Sequence, residues 1–303
     1  MKNSILYISG LSMMMAIVIT ACKMTYDAPD VQYTANYESA DVSEGKRLTT
    51  LVCGVCHYDP TTEKLTGVHM VDIPDILGTV ISSNITNHPE KGIGTYTDKE
   101  LATVIRTGIA RDGRLIPFMQ RPNMSDDDLL NIIAYLRSDD PMVNGSESDP
   151  GKTKYSRIGK MAIGSSKPTD WNQGIERPDR SDKLAFGKYL IDNLACYDCH
   201  SKSFAKVDKI NIEKSKGFMG GGNKMLNKNG DKVITPNLTP HETGIAGWTE
   251  EDFAKAVTQG ISKNNRILAY PMPSYADLTE KEISAIFAYL QSIPPIKNAI
   301  KGR

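Results

Sequence analysis

Two five-residue stretches carry the side chains best able to do chemistry, and they share one pattern. Residues 53–57 read Cys-Gly-Val-Cys-His, and residues 196–200 read Cys-Tyr-Asp-Cys-His. Two thiols three positions apart lie on neighbouring faces of one helical turn, so each can add across a vinyl group of the same haem. The histidine that follows can then coordinate the iron. The sequence therefore predicts two covalently bound haem c groups, attached through Cys53, Cys56, Cys196 and Cys199 and ligated by His57 and His200.

Other roles for these cysteines explain less of the pattern. Zinc ribbons place two Cys-x-x-Cys pairs about 15–20 residues apart, whereas these pairs begin at residues 53 and 196. A thioredoxin-like redox pair belongs to a βαβ unit, but the surrounding pattern here is helical. A structural disulfide suits an exported chain, yet it gives no reason for a histidine after each pair.

The second axial ligand of each iron can be sought by comparing the two halves of the chain. Met119 and Met272 occupy matching places 153 residues apart, each near a proline and before the last helix of its half. Histidine–methionine ligation raises the reduction potential and suits electron transfer. The alternative is that these methionines only fill gaps in the core. His88 and His241 also match and are rival ligands, although their position in Pro- and Gly-containing loops favours an exposed loop role.

The match between the halves extends beyond the haem motifs and their ligands. Ala-Tyr-Leu at 134–136 recurs at 288–290, which indicates an internal duplication. Tyr96 and Trp248 also correspond, and each lies immediately before a threonine that can cap a helix. At these positions a side chain either donates a hydrogen bond to a buried haem propionate or packs in the core.

Helices are predicted from capping patterns and apolar spacing. One runs through 41–53 into the first haem motif. A second spans 97–108, where Thr97 and Glu100 form a capping-box pattern. A third spans 125–140 and is stopped by the proline that follows. The same order of elements begins again at Asp182.

The N-terminus has the pattern of a targeting segment. A lysine follows Met1, residues 5–19 are nearly all apolar, and Ile-Thr-Ala-Cys at 19–22 resembles a bacterial lipoprotein processing site. We therefore expect a lipoprotein signal peptide at 1–21, lipidation of Cys22 and a tether at 22–40. The alternatives are an ordinary secretory signal or an uncleaved anchor. The expected location is the periplasmic or cell-surface side of the membrane, held by the lipid.

Composition and charge narrow the classes of partner. Lys plus Arg and Asp plus Glu number 36 each, so nothing indicates nucleic-acid binding. Residues 139–181 are rich in Asp, Ser, Gly, Lys and Pro and are long for a simple connection. They are predicted to be an irregular linker that wraps a domain or fills the groove between two domains. Trp171 indicates that part of this linker is packed.

Together these residues resemble tandem class I cytochrome c domains, as in the bacterial di-haem c-type cytochromes. The resemblance rests on both Cys-x-x-Cys-His motifs, the methionine loops and the Ala-Tyr-Leu helices, and it places the domains at 41–138 and 182–296. It implies an all-α fold, with one small helical bundle per haem. It also implies that Gly45 and Gly187 lie where the first helix of each bundle crosses the Ala-Tyr-Leu helix. A methionine is then the second protein ligand of each iron.

The predicted function is single-electron transfer in the bacterial cell envelope, and not catalysis. The chain is expected to act as a carrier or as the haem subunit of a dehydrogenase or respiratory complex. Its partners would be a dehydrogenase, other cytochromes or a terminal oxidase, and the membrane through the lipid. The alternative is a di-haem peroxidase, which needs one exchangeable haem ligand; a methionine in each half, Met119 and Met272, argues against it.

Overall fold

Helices account for most of the regular structure of the protein. The computed structural model describes residues 25–300, so the predicted signal peptide at 1–21 and Cys22 lie outside the described residues. Nine α-helices follow one another in the described range: α1 Val42–Val52, α2 Gly54–His57, α3 Asp98–Thr107, α4 Asp126–Leu136, α5 Arg157–Gly164, α6 Lys183–Asn193, α7 Cys196–His200, α8 Glu250–Gln259 and α9 Glu280–Ser292. None of the helices between residues 25 and 300 has the length and apolar character needed to cross a bilayer.

Two pairs of short antiparallel strands lie in the loops, where the sequence does not predict them. Strand β1 (Gly78–Thr79) pairs with β2 (Lys154–Tyr155) and joins the loop after the first haem motif to the linker. Strand β3 (Lys224–Leu226) pairs with β4 (Lys232–Ile234) as a hairpin within the longer loop of the second half. Neither pair changes the mostly helical class of the fold.

Side-chain caps determine where the main helices begin. Thr97 and Glu100 form the predicted capping box at the start of α3, and Thr279 forms another with Glu282 at the start of α9. Helix α3 ends at Gly108, whose φ of 77° lies in the left-handed region that glycine adopts readily. These boundaries agree with the sequence pattern because the signals are local.

Helix α4 ends earlier than the sequence predicts, at Leu136 instead of residue 140. The amide of Ser138 donates a hydrogen bond to the carbonyl oxygen of Tyr135 at 2.9 Å, which tightens the last turn. The Asp140 carboxylate then accepts hydrogen bonds from the Tyr135 hydroxyl at 2.9 Å and from the Met142 amide at 3.0 Å. This turn ends the helix before the chain reaches the proline.

Each half of the chain contains one close crossing of two helices. A methyl group on Gly45 of α1 would lie 2.0 Å from the carbonyl oxygen of Asn131 in α4. A methyl group on Gly187 of α6 would lie 2.1 Å from the carbonyl oxygen of Ala285 in α9. Both distances are far below a normal van der Waals contact, so only glycine allows the backbones to approach this closely. The two glycines therefore lie at the crossings that the family resemblance implies.

Two apolar cores follow from these crossings. The first core lies between α1, α3 and α4 and includes Leu65, Leu101, Ile105, Met124, Leu129, Ile132, Ile133 and Leu136. The second core lies between α6, α8 and α9 and includes Phe186, Leu190, Ile191, Phe253, Leu278, Ile286 and Leu290. Burial of such side chains is the main favourable term in folding.

The linker wraps the first half and does not run free between the halves. The ring of Trp171 packs edge-on against Tyr33 of the predicted tether, with centroids 5.8 Å apart. The hydroxyl of Thr169 donates to the carbonyl oxygen of Arg106 at 2.7 Å. Both Tyr33 and Trp171 pack against the first core. The tether and linker thus cover the first half.

The two halves also pack against each other. Leu51 of α1 belongs to the second core. Arg47, from the same helix, donates to both carboxylate oxygens of Glu282 in α9, each at 2.9 Å. Deeper in this interface the hydroxyl of Tyr189 in α6 donates to the carboxylate of Asp128 in α4 at 2.5 Å. The relative position of the halves is therefore set by buried polar contacts as well as by apolar packing.

Candidate haem sites

Each Cys-x-x-Cys-His stretch forms a short helix of its own. Cys53 ends α1, and the amides of Cys56 and His57 donate to its carbonyl oxygen at 3.1 and 2.9 Å as α2 begins. In the second half Ala195 takes a left-handed conformation, with a φ of 54°, and turns the chain from α6 into α7. Both thiols of each motif therefore lie on a single helical turn, as covalent attachment to one haem requires.

The two motif histidines are oriented in the same way. The Nδ1 atom of His57 lies 2.7 Å from the carbonyl oxygen of Ser83, and that of His200 lies 3.0 Å from the carbonyl oxygen of Pro236. A carbonyl oxygen only accepts, so each Nδ1 carries the proton, and in the neutral ring the lone pair is on Nε2. Both residues are only 6% exposed. Burial also lowers the pKa of His57, which favours the neutral ring that a metal needs.

The four motif cysteines are partly buried. All four are free in the described part of the chain. Burial raises the pKa of Cys53 to about 12 and that of Cys56 to about 11, with an opposing effect from Arg121. It raises the pKa of Cys196 to about 12 as well. A redox-active dithiol needs a lowered pKa at its attacking sulfur, so this environment does not fit the thioredoxin alternative.

These donors fit haem c better than a metal ion alone. No group of three or more His, Cys, Asp or Glu side chains between residues 25 and 300 is arranged to hold a metal. Two thiols on one turn, followed by a histidine whose Nδ1 is fixed by a carbonyl oxygen, are the donor set that a covalently bound haem uses. A backbone partner of this kind holds the ring orientation of a ligating histidine.

The predicted methionine ligands lie beside the same cores as the cysteines. Met119 ends the 3₁₀ segment Pro117–Met119 and packs, partly buried, against the first core, as Cys53 does. Met272 packs against the second core, as Cys196 does. The structure thus brings each methionine to the core that borders the motif of its own half.

His88, the rival ligand of the first half, already has hydrogen-bond partners at both ring nitrogens. The Nδ1 atom of His88 accepts hydrogen bonds from the amides of Glu90 and Lys91 at 3.2 and 3.0 Å. Its Nε2 atom lies 2.8 Å from a carboxylate oxygen of Glu147. His241 likewise accepts from the amide of Thr243 at 3.0 Å. These contacts agree with the predicted loop role.

Tyr96 and Trp248 pack in the protein. Tyr96 packs against the first core, and the guanidinium of Arg111 lies 5.0 Å from the centre of its ring. Trp248 packs against the second core. Of the two roles that the sequence leaves open, core packing is the one visible here, and a hydrogen bond to a haem propionate stays a prediction.

The two haem motifs lie within electrostatic reach of each other, which the sequence does not reveal. Burial raises the pKa of Cys199 most, followed by the carboxylates of Asp198 and Asp72, then Cys196, and then Cys56 of the other motif. The Arg121 guanidinium acts on Cys53, Cys56 and Cys196. Arg121 has no counterpart in the second half, where Ser274 takes its place, so comparison of the repeats could not find it.

A buried ion pair beside the second motif also escaped prediction. Asp198, inside the motif, is 6% exposed, and its carboxylate accepts from the ammonium of Lys209 at 2.6 and 2.8 Å. The pair holds the short helix α7 to the loop that follows it. Sequence alone does not show that the variable residues of a Cys-x-x-Cys-His stretch face inward.

Comparison with known proteins agrees with this geometry. Residues 184–294 match the Cytochrome c family. The chain is 28% identical over 250 residues to one subunit of the nicotinate dehydrogenase of Pseudomonas putida, covering 80% of this chain and 20% of that protein. It is 25% identical over 268 residues to the cytochrome c subunit of the quinone alcohol dehydrogenase of Gluconobacter oxydans, covering 80% and 52%. It is also 22% identical over 277 residues to a diheme cytochrome c-type protein of Cereibacter sphaeroides, covering 86% and 88%.

The chain thus spans one fifth of the first relative and about half of the second. The family match falls on α6, α7, α8 and α9, which hold the second motif and Met272. Residues 184–294 are thus similar to cytochrome c, and this similarity implies covalently bound haem c in the second half.

Proposed function

We propose that this protein is a di-haem cytochrome c that passes single electrons between redox proteins of the bacterial cell envelope. Its two haems would lie in tandem cytochrome c domains at 41–138 and 182–296. The observation that supports this most strongly is the shared orientation of His57 and His200, whose Nδ1 atoms both contact a backbone carbonyl oxygen. The family match covers residues 184–294 in the second half, and the first half is proposed as a domain on this likeness of structure.

Haem c supplies an iron that gains and loses one electron. The protein supplies four thioether attachment points and the two histidine ligands. Met119 and Met272, beside the cores, would complete the two ligand sets. With His57 and Met119 holding one iron and His200 and Met272 the other, no position would be left for a substrate, and a small structural change on reduction would favour rapid transfer. Such ligation would suit electron transfer and not peroxidase chemistry.

We further propose that the electron donor is a dehydrogenase. The relatives include a subunit of nicotinate dehydrogenase and the cytochrome c subunit of a quinone alcohol dehydrogenase. A haem protein of this kind would take electrons from the dehydrogenase and pass them to another cytochrome or a terminal oxidase. When the protein is isolated from native membranes, a dehydrogenase should co-purify, and its substrate should reduce the haems. If no co-purified enzyme reduces the haems, a dehydrogenase is not the electron donor.

Lipidation of Cys22 and export are the remaining parts of the proposal. They rest on the apolar run at 5–19 and the Ile-Thr-Ala-Cys stretch at 19–22. The wild-type chain should incorporate a radiolabelled lipid precursor and be recovered in the membrane fraction. The Cys22→Ser chain should show neither the label nor the membrane recovery. Equal labelling of both chains would show that this cysteine is not the lipidation site.

Haem stoichiometry tests the core of the proposed function. Wild-type protein should carry two haems per chain by absorbance and by mass. The double variant Cys53→Ser/Cys56→Ser should carry one, and its matched counterpart Cys196→Ser/Cys199→Ser should also carry one. A wild-type ratio of one, or a double variant with unchanged haem content, would show that a motif is not loaded.

A further inference from the structure

The methionine loop of the first half touches the second half next to its haem motif. Phe118, immediately before Met119, packs against Phe204, four residues after His200. The ring centroids are 6.1 Å apart and the rings are nearly perpendicular, at 85°. This edge-to-face arrangement is the favourable one for an aromatic pair. The contact links a predicted ligand of one haem to the polypeptide around the other.

The methionine loop of the second half makes the reverse contact. Tyr270, two residues before Met272, donates its hydroxyl to the carboxylate of Asp72 at 3.0 Å. Asp72 lies in the loop that follows His57 and is 8% exposed. A hydrogen bond to a buried carboxylate is among the stronger ones in proteins. Phe118 and Tyr270 each lie just before the methionine of their loop, at one and two residues from it.

Arg121 adds a second anchor to the first methionine loop. Its Nε atom donates to the carbonyl oxygen of Asn193 at 2.9 Å, at the end of α6 and three residues before Cys196. Its NH1 group donates to the carbonyl oxygens of Phe118 and Gln120 at 3.1 and 2.8 Å. One side chain thus ties the backbone on both sides of Met119 to the helix that leads into the second haem motif.

We propose that each methionine ligand is positioned by the opposite half of the chain. Phe204 and Asn193 of the second half hold the Met119 loop, and Asp72 of the first half holds the Met272 loop. We call these three cross-contacts the reciprocal clasp. Phe118, Arg121 and Tyr270 are positioning residues, because they act on the iron only through the methionine loops. The inference rests on the proposed function, since it requires Met119 and Met272 to be ligands.

The clasp has a physical consequence for ligation. A thioether is a neutral, weak ligand, so its retention depends on how firmly the loop that carries it is held. In the reciprocal clasp, the residues that hold each methionine loop belong to the half that carries the other haem. Loss of a contact in one half should therefore loosen the ligand of the other half.

The test measures ligation at each haem separately. Carbon monoxide binds a ferrous haem only when the methionine leaves, and Met119→Leu and Met272→Leu identify the signal of each opened haem. Phe204→Ala should speed carbon monoxide binding to the first haem by roughly three- to tenfold, as expected for loss of an aromatic pair. The haem bound to Cys196, in the half that carries the substitution, should be unchanged. Phe204→Leu keeps part of the apolar contact with Phe118, so it should speed carbon monoxide binding less than Phe204→Ala does.

The second arm uses Tyr270→Phe, which should weaken only Met272 ligation. Asp72→Asn should retain most of the ligation because an asparagine oxygen still accepts the hydroxyl. The matched control is Ile267→Ala, in the same loop and 88% exposed, which should leave both haems unchanged. A Phe204→Ala protein that loosens only the second haem, or neither, would overturn the clasp. A wild-type protein without the long-wavelength methionine–iron band would instead refute the ligation on which the clasp rests.

Discussion

Tyr189→Phe is the sharpest test of the interface between the two halves. The Tyr189 hydroxyl donates to the Asp128 carboxylate at 2.5 Å and accepts from the Ser125 amide at 3.0 Å. Asp128 is 3% exposed and Ser125 is fully buried, so water cannot replace the missing hydroxyl. A hydrogen bond to a charged group contributes about 1.5–3 kcal/mol, and an unsatisfied buried donor costs about 1–3 kcal/mol. We expect a loss of about 3 kcal/mol in the free energy of unfolding.

The loss should also depend on pH. Burial raises the pKa of Asp128, and the Tyr189 hydrogen bond opposes that rise. Without the hydroxyl the pKa rises further, so the ionised carboxylate is penalised more in the folded state. The stability difference between wild type and variant should therefore be larger at pH 8 than at pH 5. Arg177, whose guanidinium lies 2.9 Å from the carboxylate, limits this effect without removing it.

The assay is denaturant unfolding of the haem-loaded protein, followed by helix content and by haem absorbance. The matched control is Tyr289→Phe, whose hydroxyl donates to Glu213 at 2.6 Å. The Glu213 side chain is 50% exposed, so water replaces this partner and the expected loss is about 1 kcal/mol or less. A Tyr189→Phe loss no larger than the control, or equal at both pH values, would refute the reasoning.

Two further predictions concern the second half. Burial raises the pKa of Asp192 to about 6, against opposing effects of Asn123, Arg121 and Lys209, with a small further rise from Asp198. Because the folded value lies above the unfolded one, the proton stabilises the fold below about pH 4 and this contribution is lost as pH rises through about 6. Asp192→Asn should therefore be more stable than wild type by about 3 kcal/mol at most at pH 7.5, and by only about 1 kcal/mol at pH 4.5. An equal difference at both pH values in urea unfolding would contradict this. Gly187→Ala should cost about 3 kcal/mol or more, because its new methyl group would lie 2.1 Å from a main-chain oxygen of α9. Gly247→Ala, where the nearest atom is 4.0 Å away at the end of a lysine, is the control, and similar melting of the two variants would argue against the crossing.

Local features of the fold could be predicted because their signals are local. Thr97 and Glu100 mark the start of α3 within four residues, and Gly108 marks its end. The haem motifs were inferred from their spacing alone. The methionine ligands were inferred from the internal repeat and stay a prediction. The predicted end of helix α4 was wrong. The turn around Asp140 stops the helix before the chain reaches the proline that the sequence offers as a signal.

Contacts between distant segments could not be predicted in the same way. Phe118 and Phe204 are far apart in sequence, and neither residue has a local pattern that indicates a partner. Arg121 has no equivalent in the second half, so the duplication that located Met119 gives no help. Trp171 indicated that the linker is packed, but its contact with Tyr33 shows which half it covers. Tertiary packing decides these contacts, and sequence periodicity carries no record of it.

A reductive titration of the purified, full-length protein tests the central claim most directly. Two haems with histidine and methionine ligands should take up two electrons per chain in one-electron steps. The long-wavelength methionine–iron band of the ferric protein should disappear in proportion, and native ferrous protein should not bind carbon monoxide readily. Uptake of one electron per chain, or rapid carbon monoxide binding to either haem of the wild-type protein, would contradict a di-haem electron carrier.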